Sequence, residues 1–285
     1  YREQFDGRMQ RLFNRGHREE ERFIEWLEGI GCKVYFENRD GLYYVEESDE
    51  YGIFKADTSD MIRNIAQTIT EDNPRYKEHV ARAKLQGITF PQYRVSGVGG
   101  HFGGSLDAII ILPEWLGIPE PVLGEFKTNG TGAGFNELTE KGMKLKKPQH
   151  YAQTSVYGSD PNYQFKWALY LNINKNDDTI HVELVPLDWD LGNQMRQKAE
   201  QIIMSQEPPP RLSDNPTYRI CTYCAAKDIC HRGAIPEKNC RSCKNCSPAE
   251  GGEWFCSVYN GVIPRDFVKT GCAENYIPIT VRTNV

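Results

Sequence analysis

The stretch LGEFKTNG, Leu123 to Gly130, decides how the chain is read. A β-compatible run ends here by setting Glu125 and Lys127 two residues apart, and Asn129 and Gly130 follow at once. Side chains alternate across a strand, so residues two apart share one face. An acid and a base are therefore held side by side where a strand stops. Such a pair is a surface ion pair or half of an active site, and the neighbouring sequence must choose.

Upstream, VSGVGGHFGGSLDAIIIL (Val95–Leu112) is a glycine-laden approach to a strong strand, with Asp107 opening the apolar run. The spacer PEWLGIPEP is rich in turn residues, so the two strands are expected to pair. Asp107 then faces Glu125 across the ladder at about 5 Å. Two carboxylates that close repel each other unless a cation lies between them. Hard oxygen ligands select a hard cation, Mg²⁺ or Mn²⁺, and the backbone carbonyl of Phe126 would point into the same corner. Lys127 beside a metal-bound water would orient it, or neutralise charge developing on a phosphate oxygen. This is apparatus for in-line attack on a phosphodiester.

Working outward, apolar residues at helical spacing predict a helix over residues 8–30, closed by Gly29 and Gly31. It places His17 and Glu20 three apart on one face, with Glu21 four residues from His17. Short β-like runs follow (KVYF, LYYV, GIFKA), then a helical segment over Met61–Leu85 interrupted at Asn73-Pro74. Thr128–Gly134 reads as a loop. Pro148 suits the first turn of a helix that carries Gln153 and Tyr157 four apart on one face. FKWALYLNIN and TIHVELVPL read as strands, and Asp188 as the cap of a helix ending at Met204. Pro208-Pro209-Pro210 is the linker. The expected fold is α/β, a mixed central sheet flanked by helices, with a core over residues 1–207 and a small Cys-rich, metal-bound module over 208–285.

The 285 residues carry 39% hydrophobic and 26% charged side chains, ordinary for a globular protein. No apolar run approaches the roughly 18–20 residues that cross a bilayer, so no membrane association is expected. A net charge of -5 argues against a generic nucleic-acid coat. Charge is uneven, however: Arg219–Lys244 holds six Lys/Arg against two Asp/Glu, and KGMKLKK (Lys141–Lys147) is a second basic run. Basic tracts on an acidic body fit a protein that meets a polyanion at chosen places.

Eight of the nine cysteines lie between Cys221 and Cys272, a crowding that implies metal in a reducing compartment rather than disulfides. A cytoplasm is the expected location, the host's if the gene is viral. Cys221, Cys224 and Cys230 form one triplet, whose fourth ligand is open between Cys246 and His231. The later group, CRSC…WFC…GC, resembles a Cys-rich zinc module, and that resemblance assigns Cys240, Cys243, Cys256 and Cys272 to a second, tetrahedral zinc site. Cys32 stands alone and reads as a buried apolar thiol.

In order and spacing these residues resemble the RecB-like branch of the PD-(D/E)XK nucleases, which includes phage-encoded exonucleases and the nuclease domains of CRISPR-associated and AddB proteins. The matching pieces are Gly16-His17…Glu20, Gly104-Ser105-Leu106-Asp107, Glu125-Phe126-Lys127 and Gln153…Tyr157. The resemblance implies a restriction-endonuclease-like fold with Asp107 and Glu125 as metal-binding carboxylates and Lys127 as the catalytic lysine. It implies that Glu20, with His17 alongside, completes the metal site, and that Gln153 and Tyr157 position DNA. It also implies zinc or a 4Fe-4S cluster at Cys221, Cys224 and Cys230. Here the sequence departs from the family pattern, because its one early cysteine, Cys32, follows His17 instead of preceding it. The Gly cluster suits close approach of backbone to substrate, or a bulge; His101 reads as a polar residue on a Gly-bent hairpin, with reach into the cleft as the alternative.

The expected activity is that of a metal-dependent DNA exonuclease in viral recombination or replication. Its expected partners are DNA, recombination or replication proteins, and further copies of itself. A structure-selective or CRISPR-adaptation-type endonuclease, and a non-catalytic zinc-dependent nucleic-acid-binding protein, are the competing expectations.

Overall fold

The computed structural model describes residues 6–130, 133–205 and 207–279. Helix α1 (Gly7–Gly29) begins where Asp6 accepts a hydrogen bond from the Met9 N–H at 2.8 Å. Strand β1 (Lys33–Tyr35) follows, then a small antiparallel sheet of β2 (Leu42–Val45), β3 (Glu50–Ile53) and β4 (Gln67–Thr68). Helix α2 (Asp60–Ile65) precedes β4 and α3 (Tyr76–Leu85) follows it. The single interrupted helix expected over Met61–Leu85 is therefore two helices with a strand between them. Ala66 is already extended, and Gln67 and Thr68 pair with Tyr44 and Tyr43 on β2. Tertiary pairing overrides the helical pattern there.

A Gly-rich hairpin comes next, β5 (Arg94–Gly97) and β6 (Phe102–Ser105), leading into β7 (Ala108–Ile111). Strand β8 (Val122–Asn129) is followed by α4 (Ala133–Lys146) and α5 (Pro148–Gly158), then β9 (Trp167–Asn174), β10 (Ile180–Pro186) and α6 (Trp189–Met204). Asp188 caps α6, accepting from the Leu191 N–H at 2.9 Å. Helix α4 was not legible in the sequence. Gly142 breaks its regularity at φ 75°, and the Glu183 carboxylate accepts from the following Met143 N–H at 2.7 Å.

The central sheet runs β1-β7-β8-β9-β10, with β8 and β9 parallel and every other pair antiparallel. A parallel pair needs a crossover, and α4 and α5 supply it. On one face Phe23 and Leu27 of α1 bury against Ile110, Val122, Phe126, Leu171 and Ile173. On the other, α5 and its neighbours bury Val156, Tyr157, Tyr151 and Met143 against Leu123, Ala168 and Tyr170. The architecture is mixed α/β, with helices on both faces of the five-stranded sheet. Among the described residues, no helix is long and apolar enough to cross a membrane.

Beyond Pro210 the chain forms α7 (Arg219–Thr222), α8 (Lys227–Arg232), a three-stranded sheet of β11 (Cys246–Pro248), β12 (Trp254–Cys256) and β13 (Gly261–Val262), and α9 (Arg265–Val268).

Candidate active site

The register of β7 on β8 pairs Ala108 with Gly124, and the next step outward sets Asp107 opposite Glu125. Asp107 sits in the short break between β6 and β7. Its Oδ2 accepts the Phe126 N–H at 2.8 Å, so the backbone of β8 itself fixes the carboxylate. Glu125 and Lys127 share the face beneath α5, as period-two spacing requires. Lys127 Nζ lies 2.5 Å from Glu125 Oε1, 3.4 Å from Asp107 Oδ2 and 3.0 Å from the Phe126 carbonyl oxygen. The E-F-K stretch and Asp107 therefore meet at one point.

Glu125 has no solvent access, and both its oxygens lack an aligned hydrogen-bond donor; the Lys127 contact is an ion pair, not an aligned hydrogen bond. Burial pushes its carboxyl up to about 7, opposed by Lys127 and reinforced by Asp107 and Glu20. For Lys127 burial works against the charge, but the two carboxylates outweigh it and hold the ammonium above its usual range. Glu20 is also raised, first by burial and then by Asp107, with His17 opposing. Asp107 and Glu125 thus meet on one ammonium, and Glu20 stands near enough to feel the charges of Asp107 and Lys127. A buried carboxylate with unsatisfied oxygens beside two more acids suits a hard divalent cation, so the donor set fits Mg²⁺ or Mn²⁺.

Helix α1 brings Glu20 to the cluster and leaves the others outside it. His17 Nδ1 lies 3.5 Å from Glu20 Oε2, on a side chain largely exposed to solvent. Glu21 is exposed, and Glu19 is buried but paired to Arg22 at 2.7 Å. A cleft of about 450 Å³ runs between α1 and β8, with His17, Glu20, Phe126 and Lys127 in its wall.

From α5, Gln153 Nε2 donates to the Tyr157 hydroxyl at 3.2 Å. Burial raises the Tyr157 phenol, and the Glu125 and Asp107 carboxylates add to the shift. Gly104 explains itself here: a Cβ at that position would collide with the Tyr157 hydroxyl. The glycine three residues before Asp107 is thus the space that lets Tyr157 stand against the β6 strand.

Three more polar residues join this face. His150 Nδ1 lies 3.0 Å from the Tyr170 hydroxyl, and Asn172 Nδ2 donates to the same oxygen at 2.9 Å. Asn172 pairs in register with Lys127, and Tyr170 with Glu125. The available sequence signal was the polar residues Tyr170, Asn172 and Asn174 at period two in a strand otherwise fully apolar.

His101 does not reach the cleft. Its Nε2 is 2.8 Å from the Ala249 carbonyl oxygen, and its ring meets Trp254 edge-on at 4.7 Å. The Gly cluster likewise approaches another part of the chain instead of a cleft: a Cβ on Gly100 would lie 2.6 Å from Gly252 N.

In the tail, Cys240, Cys243, Cys246, Cys256 and Cys272 line one cavity of about 460 Å³. Cys246 pairs with Cys256 across β11 and β12 and lines the same cavity as the second set. Burial, then the neighbouring thiols, push its own thiol up to about 12. The Ile277 N–H donates to Cys243 Sγ at 3.4 Å. Next to Cys230, His231 Nε2 is buried without a hydrogen-bond partner. This donor chemistry fits zinc. As they stand, no three His, Cys, Asp or Glu side chains among the described residues are drawn together tightly enough to grip an ion. Cys32 is buried in the α1 face of the core.

No family model and no curated protein matches the chain. Among solved structures it is similar to the crystal structure of SSO0001, at 19% identity and a TM-score of 0.30, over 55% of this chain and 72% of that one. A likeness of that size carries no argument, and the functional reading rests on the chain's own geometry.

Proposed function

We propose that the chain is a metal-dependent deoxyribonuclease of the RecB-like PD-(D/E)XK kind, with a restriction-endonuclease-like core over 1–207, a thiol-bound module over 208–285, and exonuclease action on DNA. One observation carries the reading: the carboxylates of Asp107, just before β7, and Glu125, on β8, both lie within 3.4 Å of the Lys127 ammonium. Supporting it, Glu20 and Tyr157 are close enough to Asp107 to be perturbed by its charge.

Asp107, Glu125 and Glu20 would hold Mg²⁺ or Mn²⁺, which when bound supplies Lewis-acid stabilisation and a more acidic water. Within the chain, the Phe126 N–H fixes Asp107, and burial keeps Glu125 from being solvated by anything but a cation. Lys127 donates to the attacking water or to a phosphate oxygen as negative charge builds there. Gln153 and Tyr157 fix the α5 side of the site, and His17 stands at its rim. In the tail, zinc is the proposed occupant of the second cysteine set, and zinc or an iron–sulfur cluster of the first triplet.

End-labelled linear DNA, incubated with Mg²⁺ or Mn²⁺ and again with EDTA, tests the proposal. Metal-dependent release of nucleotides from ends, lost in Asp107→Ala, is the expected result. Cutting of closed circular DNA would replace exonuclease with endonuclease action. Binding of DNA without any cleavage would leave a zinc-dependent binding protein.

A further inference from the structure

The hairpin that carries Asp107 into the site is also the seat of the C-terminal module. Its tip, Val98-Gly99-Gly100, has three successive positive φ angles of 52°, 59° and 90°. For the β-branched Val98 that conformation is strained, and such strain persists only where the surroundings over-determine it. The surroundings here are the loop entering β12. Gly100 and Gly252 meet backbone to backbone: a Cβ on Gly100 would lie 2.6 Å from Gly252 N, and one on Gly252 would lie 3.0 Å from Gly100 O. The Glu250 carboxylate packs on Gly99. His101 closes the contact through the Ala249 carbonyl and the Trp254 ring.

From that tip β6 runs straight back to the site. Gly103 and Gly104 pair with Ser96 and Val95, the Leu106 N–H donates to Tyr93 O at 2.8 Å, and Asp107 is the next residue. Asp107 is thus six residues from His101 along a paired strand and its short exit. Meanwhile β11 and β12, which hold Cys246 and Cys256 in the cavity wall, frame the Ala249–Trp254 loop on the other side.

We propose that the cysteine-lined module braces the β5–β6 hairpin and so sets the position of Asp107, with His101 as the positioning residue of the contact. This rests on the reading of Asp107 as a metal-binding carboxylate. It assigns the tail a task other than gripping DNA: folding of the module completes the cation site some distance away. Gly99, Gly100, Gly251 and Gly252 are then the surface that two pieces of backbone need in order to touch. A nuclease built this way is inactive until its C-terminal module has folded.

The test uses the full chain with its module intact, as judged by unchanged zinc content, and compares wild type, His101→Ala, His101→Gln and Gly100→Ala. Gln keeps a donor at the reach of Nε2. Two readouts are taken: hydrogen exchange of the amides of residues 94–97 and 102–106, and Mn²⁺ affinity by titration calorimetry. In His101→Ala and Gly100→Ala, exchange should quicken in both strands and Mn²⁺ should bind at least about tenfold more weakly, the usual cost of losing an outer support of a metal site. DNA affinity in EDTA should stay unchanged, so that kcat falls while KM holds, and His101→Gln should restore both readouts. Wild-type exchange and Mn²⁺ affinity in His101→Ala, an equal loss in His101→Gln, or weakened DNA binding with Mn²⁺ affinity intact would each overturn the proposal. If the wild type takes up no Mn²⁺ at all, the nuclease reading falls and the link to Asp107 falls with it. The exchange data then show whether the brace exists apart from that reading.

Discussion

The Lys127 ammonium stands 2.5 Å from Glu125 Oε1, on a carboxylate that solvent does not reach. In this arrangement the lysine is the counter-charge that makes burial of Glu125 tolerable. Removing one partner of a buried pair strands the other charge, at about 3–5 kcal/mol. Lys127→Met should therefore melt at lower temperature in EDTA, and saturating Mn²⁺ should restore much of the loss by supplying the missing charge. The same variant should bind DNA and lose about 10²–10³-fold in turnover. Wild-type cleavage by Lys127→Met would remove the lysine from the mechanism.

Gly104 and Tyr157 make a second coupled pair. Gly104→Ala places a methyl group against the phenol oxygen, and overpacking of this kind costs about 1–3 kcal/mol. Tyr157→Phe removes the oxygen while the ring carbons remain tight against the new methyl at 2.8 and 2.9 Å. The double variant should recover part of the stability lost in Gly104→Ala, and thermal melts of the four proteins would measure the coupling. Strict additivity of the two single changes would show that the residues do not compete for one space.

The site was more legible in the sequence than the fold around it, and the reason is local geometry. Glu125 and Lys127 share a face because strands alternate, and Asp107 meets them because a turn-rich spacer makes β7 and β8 neighbours. His101 stands on a Gly-bent hairpin as its sequence suggested, but what meets it was not legible, because a glycine run reports close backbone approach without naming what approaches. Its partner, Gly252, is far along the chain. Helix α4 was hidden by Gly142 and the lysines around it, since its support is the distant Glu183. Met61–Leu85 misled because β4 is defined by its pairing with β2, not by its own two residues.

His150 provides a pH handle outside the carboxylates. Burial, with Lys127 and Lys147 nearby, lowers its imidazole to about 4, and its neutral ring meets the Tyr170 hydroxyl. In the unfolded chain the same ring takes a proton near 6.5. Between those values the unfolded state binds the extra proton, so stability is complete above about 6.5 and falls as pH drops toward 4. His150→Asn keeps a group at the Nδ1 position and cannot titrate. Urea midpoints across this range should fall less steeply for the variant than for the wild type. Parallel curves would mean that His150 takes up its proton as readily in the folded protein as in the unfolded chain.

The tail separates its cysteines by position. Five thiols face one cavity, yet tetrahedral zinc uses four. Cys240 and Cys243 form a two-residue-gap pair at a short turn, with Ile277 N–H donating to Cys243 Sγ; Cys256 comes from β12 and Cys272 from the chain after α9. Cys246, opposite Cys256, is the fifth thiol of this cavity and stands outside the four-ligand set that the sequence assigns to zinc. Cys246→Ser should therefore keep the zinc of this cavity, whereas Cys272→Ser or Cys240→Ser should lose one equivalent by metal analysis and unfold the module. If Cys246→Ser loses the zinc and Cys272→Ser keeps it, the roles of those two cysteines are exchanged, and the β11–β12 pair forms the wall that binds the ion.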